Sequence, residues 1–217
     1  ANLRFHTDLH GLPRRLADDL GDAFGAGQVF LDRHDLRGGG SWREAIDNAI
    51  GKRPVVLLLI SALVLDPAGW LHALDPQARA ITTVAGNVRL EKTARNARLA
   101  REWAGREDIP VYAGAGRPLV RAPIYAAEVH GEEGITGVQV HEPKQSLAAG
   151  NAVQYLVDTL SAAKPHSITI AMLGPQTNLA LALIQQPGIA QGIKEVVVMG
   201  GAHFNGGNIT PVAEFNL

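Results

Sequence analysis

An α/β fold, an open and mainly parallel sheet with helices on both faces, is the architecture this sequence predicts, and three observations predict it. Short runs of branched aliphatic residues recur along the chain, of a length that suits strands. Segments with apolar residues at helical spacing separate them. The strand candidates, above all Val55 to Ile60, are apolar at nearly every position rather than at alternate ones, the pattern of parallel strands covered on both faces. Repeated strand–helix units of this kind wind into one parallel sheet.

Each element has its own signal. Leu16, Leu20, Ala23 and Phe24 recur at helical spacing, and Pro13 sits where a first helical turn tolerates it, so a helix is predicted from Leu12 to Phe24. A short strand at Gln28 to Leu31 follows, then a glycine-rich loop from Asp35 that ends at Ser41 as a helix N-cap. Trp42, Ala45, Ile46, Ala49 and Ile50 line the next helix, and Val55 to Ile60 is the central strand. Beyond it come a strand at Arg79 to Ala85, a helix from Glu91 to Ala104 and a strand at Pro110 to Ala113. The pattern fades into loop between Gly114 and Gln145. Ala148, Ala149, Val153, Leu156, Val157 and Leu160 mark an amphipathic helix, followed by a strand at Ser167 to Leu173 that Gly174-Pro175 closes. A helix from Thr177 to Gln185 and a strand from Glu195 to Met199 end the series, and Gly200-Gly201 opens a polar loop.

Composition narrows the function classes. The balance of 46% hydrophobic and 19% charged residues is that of a soluble globular protein with a sizeable core. A formal charge of -1 gives no field that would draw the chain to nucleic acid or anionic lipid, so a small neutral or polar ligand is expected. Without cysteine there is no disulfide, no thiolate nucleophile and no cysteine-ligated metal, and any metal must be held by oxygen or imidazole. The apolar run Val55 to Leu65 is shorter than the ~20 residues of a membrane helix. With no basic-then-apolar leader in view, a cytoplasmic location is expected.

In sheets of this class ligands bind beyond the carboxyl ends of the strands, and three strand ends carry polar residues. The first is Ile81-Thr-Thr-Val-Ala-Gly-Asn87, where Gly86 allows a tight turn and Asn87 presents a donor and an acceptor. A Gly-Asn pair after a strand is equally a plain turn signal. The second is Met172-Leu-Gly-Pro-Gln-Thr-Asn178, which also reads as a strand stop followed by a helix start. The third runs from Val198 to Asn216, where Asn208, Glu214 and Asn216 bring two amides and a carboxylate together, enough to grip vicinal sugar hydroxyls. A solvated loop accounts for its glycines and asparagines as well.

Taken in order, Ile81 to Val88 with Glu91-Lys-Thr-Ala-Arg-Asn-Ala97, Pro110 to Leu119, His130-Gly-Glu-Glu-Gly134, Leu173 to Ala182 and Met199 to Asn216 resemble the inosine/uridine-preferring nucleoside hydrolases over residues 71–217. The resemblance implies a nucleoside hydrolase-like sheet and cleavage of the N-glycosidic bond of ribonucleosides to ribose and free base. It implies a calcium ion, bound by carboxylates near the start of the domain, one of them the general base, and by the backbone carbonyl of Thr177. Asn87, Asn208, Glu214 and Asn216 should contact ribose, and Met199 should pack beside it. His130 falls in the histidine-glycine segment near the base pocket, although a lone histidine in a loop is more often surface. A small-molecule ribonucleoside as partner and a homo-oligomeric assembly also follow from the family.

Two segments of the family pattern have no counterpart. The opening Asp-x-Asp-Pro-Gly loop is represented only by Asp66-Pro67, which makes Asp66 the candidate catalytic carboxylate, and the later histidine–aspartate segment is missing. The expectation is an incomplete hydrolase domain at 71–217, truncated at both ends, whose activity the missing aspartates would impair. Residues 1–70 form a separate expected unit. There Leu16 to Leu20, Gln28 to Asp32, Asp35 to Ile46 and Val55 to Ser61 resemble bacterial toll/interleukin-1 receptor (TIR) domains. The alternative to a hydrolase is thus a TIR-like signalling or self-association module with a riboside-binding remnant. A dinucleotide oxidoreductase is set aside because Gly38-Gly-Gly40 lacks the spaced Gly-x-Gly-x-x-Gly pattern. If one continuous sheet crosses the join, Val55 to Ile60 stands in for the hydrolase's first strand.

Overall fold

The structure is a computed structural model that describes residues 2–6, 56–60, 78–135 and 138–199, with the first two stretches and Met199 described by their backbone. The helix expected at Leu12 to Phe24, the strand at Gln28 to Leu31, the loop from Asp35 to Ser41 and the helix lined by Trp42 to Ile50 lie outside these residues.

Among the described residues six strands form one sheet: β1 (Asn2–His6), β2 (Val56–Ile60), β3 (Ala78–Thr83), β4 (Val111–Ala113), β5 (Ile168–Met172) and β6 (Ile193–Met199). Their order is β1-β6-β5-β2-β3-β4, and every neighbouring pair is parallel. The expected α/β class is therefore the observed one, and β2 takes the central place its continuous aliphatic run predicted. The continuous sheet also forms, because β1 and β2 hydrogen-bond to strands of the later segment.

The helices α1 (Leu90–Trp103), α2 (Ala127–His130), α3 (Ala152–Ala162) and α4 (Thr177–Gln185) connect them, with a 3₁₀ turn at Pro187–Gly192. On one face Leu156, Val157 and Leu160 of α3 and Leu179 and Ala182 of α4 pack on Ile168, Ile170, Met172, Val196 and Val198. On the other, Ala97 and Ala100 of α1 pack on Ala78, Ile81, Val111 and Ala171. The small α1 residues let that helix lie close to the sheet, while the larger leucines fill the opposite layer. Each such leucine contributes about 1.5–3 kcal/mol by leaving water.

Two expectations are corrected. The stripe read as beginning at Ala148 and Ala149 does not belong to α3. The helix starts at Ala152 because the Asn151 side chain accepts a hydrogen bond from the Val153 N–H (2.7 Å) and caps it. Ala148 instead donates its N–H to the Val111 carbonyl (2.9 Å), laying this segment along the outer edge of β4. The stretch from Gly114 to Gln145, expected as loop, contains the single turn α2.

Candidate active site

The pairing register levels the carboxyl ends of the strands. Leu59 lies opposite Met172, Ile60 opposite Thr83, Thr83 opposite Ala113, and Met172 opposite Val198. Whatever follows these strands stands on one rim. The strand order also reverses there: β2, β3 and β4 run outward one way, while β5 and β6 lie on the other side of β2. The carboxyl-end crevice at such a reversal is where open α/β sheets bind ligands.

Three of the candidate residues stand on this rim. Asn87 lies in the turn after β3, half-buried, and its side-chain amide makes no hydrogen bond to any described residue. Thr177 is the first residue of α4, just after β5, and is 8% exposed. Met199 ends β6, opposite His6 of β1. Adjacent strands lie about 4.8 Å apart, so the ends of β3 and β5, separated by β2, are about 10 Å apart. Asp66, Asn208, Glu214 and Asn216 lie outside the described residues.

His130 ends α2 and is half-buried, in a loop tied to the Asn87 turn. The Ala126 N–H donates to the Asn87 carbonyl (2.8 Å), and the Arg89 guanidinium lies over the Tyr125 ring, 5.3 Å from its centre. Helix α1 fixes the loop from below. Lys92 donates to the Glu132 carbonyl and pairs with the Glu133 carboxylate (3.1 Å); Arg95 pairs with the same carboxylate (2.7 Å); Asn96, 2% exposed, donates to the Glu133 carbonyl (2.7 Å). The two cations hold the Glu133 carboxyl below its usual range, the Arg95 hydrogen bond first and the Lys92 hydrogen bond second. Gly134 has φ +66°, and a Cβ there would strike Val88, the neighbour of Asn87. The segments around Asn87 and His130 are thus packed on one another.

The sequence did not single out Asn178. It is wholly buried, its Nδ2 donates to the Thr83 carbonyl (2.9 Å), and its Oδ1 accepts from the Ala115 N–H (2.8 Å). One amide therefore joins the start of α4 to the ends of β3 and β4. The one signal was an asparagine just inside a helix start, which reads as a local cap.

A hard cation needs six to eight oxygen ligands. Among the described residues no group of three or more histidines, aspartates or glutamates is placed to hold a metal, so these residues alone do not make a calcium site. Of the implied ligands, the Thr177 carbonyl is the one that falls within them.

The family pattern of the inosine-uridine preferring nucleoside hydrolases matches residues 66–217. The chain is 45% identical over 139 residues to an inosine-uridine preferring nucleoside hydrolase of Leishmania major, covering 64% of this chain and 44% of that protein. It is 44% identical over 148 residues to the pyrimidine-specific ribonucleoside hydrolase RihA of Salmonella paratyphi C, covering 68% of this chain and 47% of that one. The chain thus spans about half the length of the curated relatives it matches. Among solved structures, a plant nucleoside hydrolase superposes with a TM-score of 0.68 at 33% identity, covering 75% of this chain and 52% of the other. A purine-preferring ribonucleoside hydrolase from Gardnerella vaginalis gives 0.67 at 28% identity, covering 74% and 53%. With the family pattern running through β3 to β6 and the rim they form, this chain belongs to the inosine-uridine preferring nucleoside hydrolase family.

Proposed function

We propose that the rim above β3, β5 and β6 binds a ribonucleoside and that the chain takes part in hydrolysing its N-glycosidic bond to ribose and free base. One observation carries this reading: Asn87 and Thr177, far apart in sequence, follow the carboxyl ends of β3 and β5 at the reversal of strand order, inside the segment that matches the family. Breaking the bond from C1′ to the base nitrogen leaves positive charge on the ribose ring, while water supplies the new C1′–O bond and a proton for the departing base. Asn87, with an uncommitted amide, is suited to hydrogen-bond a ribose hydroxyl. Asn208, Glu214 and Asn216 are proposed as further ribose contacts, Met199 as an apolar neighbour of the sugar, His130 as a group near the base, and Asp66 as the candidate general base.

Calcium is the proposed cofactor, held by the Thr177 carbonyl together with oxygen ligands from beyond the described residues; its chemistry is to bind ribose hydroxyls and acidify water. A cytoplasmic setting and a homo-oligomer belong to the same proposal. No observation favours the TIR-like alternative for residues 1–70, whose matching segments lie largely outside the described residues.

The test is release of free base from inosine, uridine and NAD, resolved by chromatography with calcium present and again after chelation. Release from a nucleoside that chelation abolishes supports the proposal. Release from NAD but from neither nucleoside would reject the ribonucleoside reading, and no release from any of the three would reject catalysis by this chain.

A further inference from the structure

We propose that Asn178 is a positioning residue that sets the riboside rim, an inference that rests on the functional reading above. Its side chain reaches elements distant in sequence and is committed at both ends, donating to the Thr83 carbonyl (2.9 Å) and accepting from the Ala115 N–H (2.8 Å). The second contact is relayed. Ala115 passes its carbonyl to the Ala85 N–H (2.9 Å), and Ala85 begins the turn that carries Asn87. At its other end Asn178 shares a peptide plane with the Thr177 carbonyl, so anchoring the side chain limits how that plane can rotate. One buried amide thus fixes the Asn87 turn relative to the Thr177 carbonyl across the intervening β2.

Gly114 fits this arrangement. A Cβ there would overlap the Asn178 amide, so glycine at 114 is what allows the amide to reach Ala115. Without Asn178, the carbonyl of wholly buried Thr83 and the N–H of half-buried Ala115 would each lose a partner, and the buried carbonyl could regain one only by moving. The Thr83 hydroxyl already donates to the Tyr112 carbonyl (3.3 Å), so β3 and β4 would remain paired while their ends loosened.

The experiment measures amide exchange in the wild-type chain, Asn178→Ala and Asn178→Asp, with kcat and KM for inosine and uridine measured on the same samples. The amides of α3 serve as the internal reference for global opening. The expected result is exchange at Ala85 and Ala115 faster by about tenfold or more in Asn178→Ala while α3 is unchanged. Asn178→Asp keeps an acceptor for Ala115 but loses the donor to Thr83, so its Ala115 amide should stay closer to wild type. KM should rise about tenfold with a smaller change in kcat, because a displaced Asn87 weakens sugar binding. Equal acceleration at every amide, or none at Ala85 and Ala115, overturns the inference. Should Asn178→Ala fail to fold, Gly114→Ala pushes the amide off Ala115 from the other side and must give the same local loss. If wild type releases no base, the riboside reading fails by itself, and the exchange pattern still decides whether Asn178 fixes the rim.

Discussion

At the scale of single residues, availability separates the candidate ligand contacts from the residues that hold them. Asn87 is half-buried with an amide that no described residue engages, whereas Asn96 and Asn178 are buried with their amides committed to backbone groups. Asn87→Ala is therefore expected to leave stability nearly unchanged and to lower kcat/KM for inosine about tenfold, chiefly through KM, the worth of one neutral hydrogen bond. Steady-state kinetics beside a denaturant titration check this; a large loss of stability would place Asn87 among the structural amides instead. The difference also decides what sequence could reveal. Asn87 was legible because Gly86-Asn87 directly follows a strand, a local pattern. Asn178 was not, since its partners lie 63 and 95 residues away and only the folded sheet brings them to it.

At the scale of elements, helix α1 serves the site through its side chains. Its inner face carries Ala97 and Ala100 against the sheet, and a neighbouring stripe of Lys92, Arg95 and Asn96 holds the loop after His130. The sequence showed the helix by its period, yet gave no partner for that polar stripe. Because Glu133 has a carboxyl held below its ordinary range, its contribution to the folded loop is complete above the usual glutamate pKa of about 4.3. It is lost as pH falls through the lower folded value. Glu133→Gln should remove this acid-dependent part: protection of the Gly134 amide, measured relative to its intrinsic exchange rate at each pH, is expected to fall at low pH in wild type and to be low and less pH-dependent in the variant. A wild-type loop indifferent to acid would mean that the hydrogen bonds from Asn96 and Lys92 to its backbone carbonyls hold it without the ion pairs. The start of α3 makes a separate case. Ala148 and Ala149 continue the apolar period of the helix, but capping chemistry placed the boundary at Asn151, beyond them. Asn151→Ala should cost about 0.5–2 kcal/mol in chemical denaturation, since the Val153 N–H loses its acceptor. Strand β1 shows the opposite failure. Leu3 and Phe5 alternate with Asn2, Arg4 and His6, a period-2 signal present in the sequence but too short to be read without β6 beside it.

At the scale of the whole molecule, the open question is whether residues 1–70 and 71–217 behave as two units, as their differing resemblances imply, or as one. The central strand argues for one. β2 precedes the family-matched segment, yet it lies between β5 and β3 and contributes backbone hydrogen bonds to both. Removing it would leave two facing strand edges, each with a row of unpaired N–H and C=O groups in the middle of the core, which a parallel sheet does not tolerate. β1 adds the same dependence at the far edge by covering β6. Chemical denaturation followed by far-ultraviolet circular dichroism and by tryptophan fluorescence should therefore give a single, coincident transition. The two probes read different parts of the chain: backbone signal comes from both segments, whereas Trp42 and Trp70 belong to the first and Trp103 to the second. Non-coincident transitions, with the fluorescence change of Trp42 and Trp70 separated from that of Trp103 in single-tryptophan variants, would mean that the first segment folds by itself. The 71–217 unit would then have to close its sheet without β2, and the levelled rim that places Asn87 opposite Thr177 would lose the strand that spaces them.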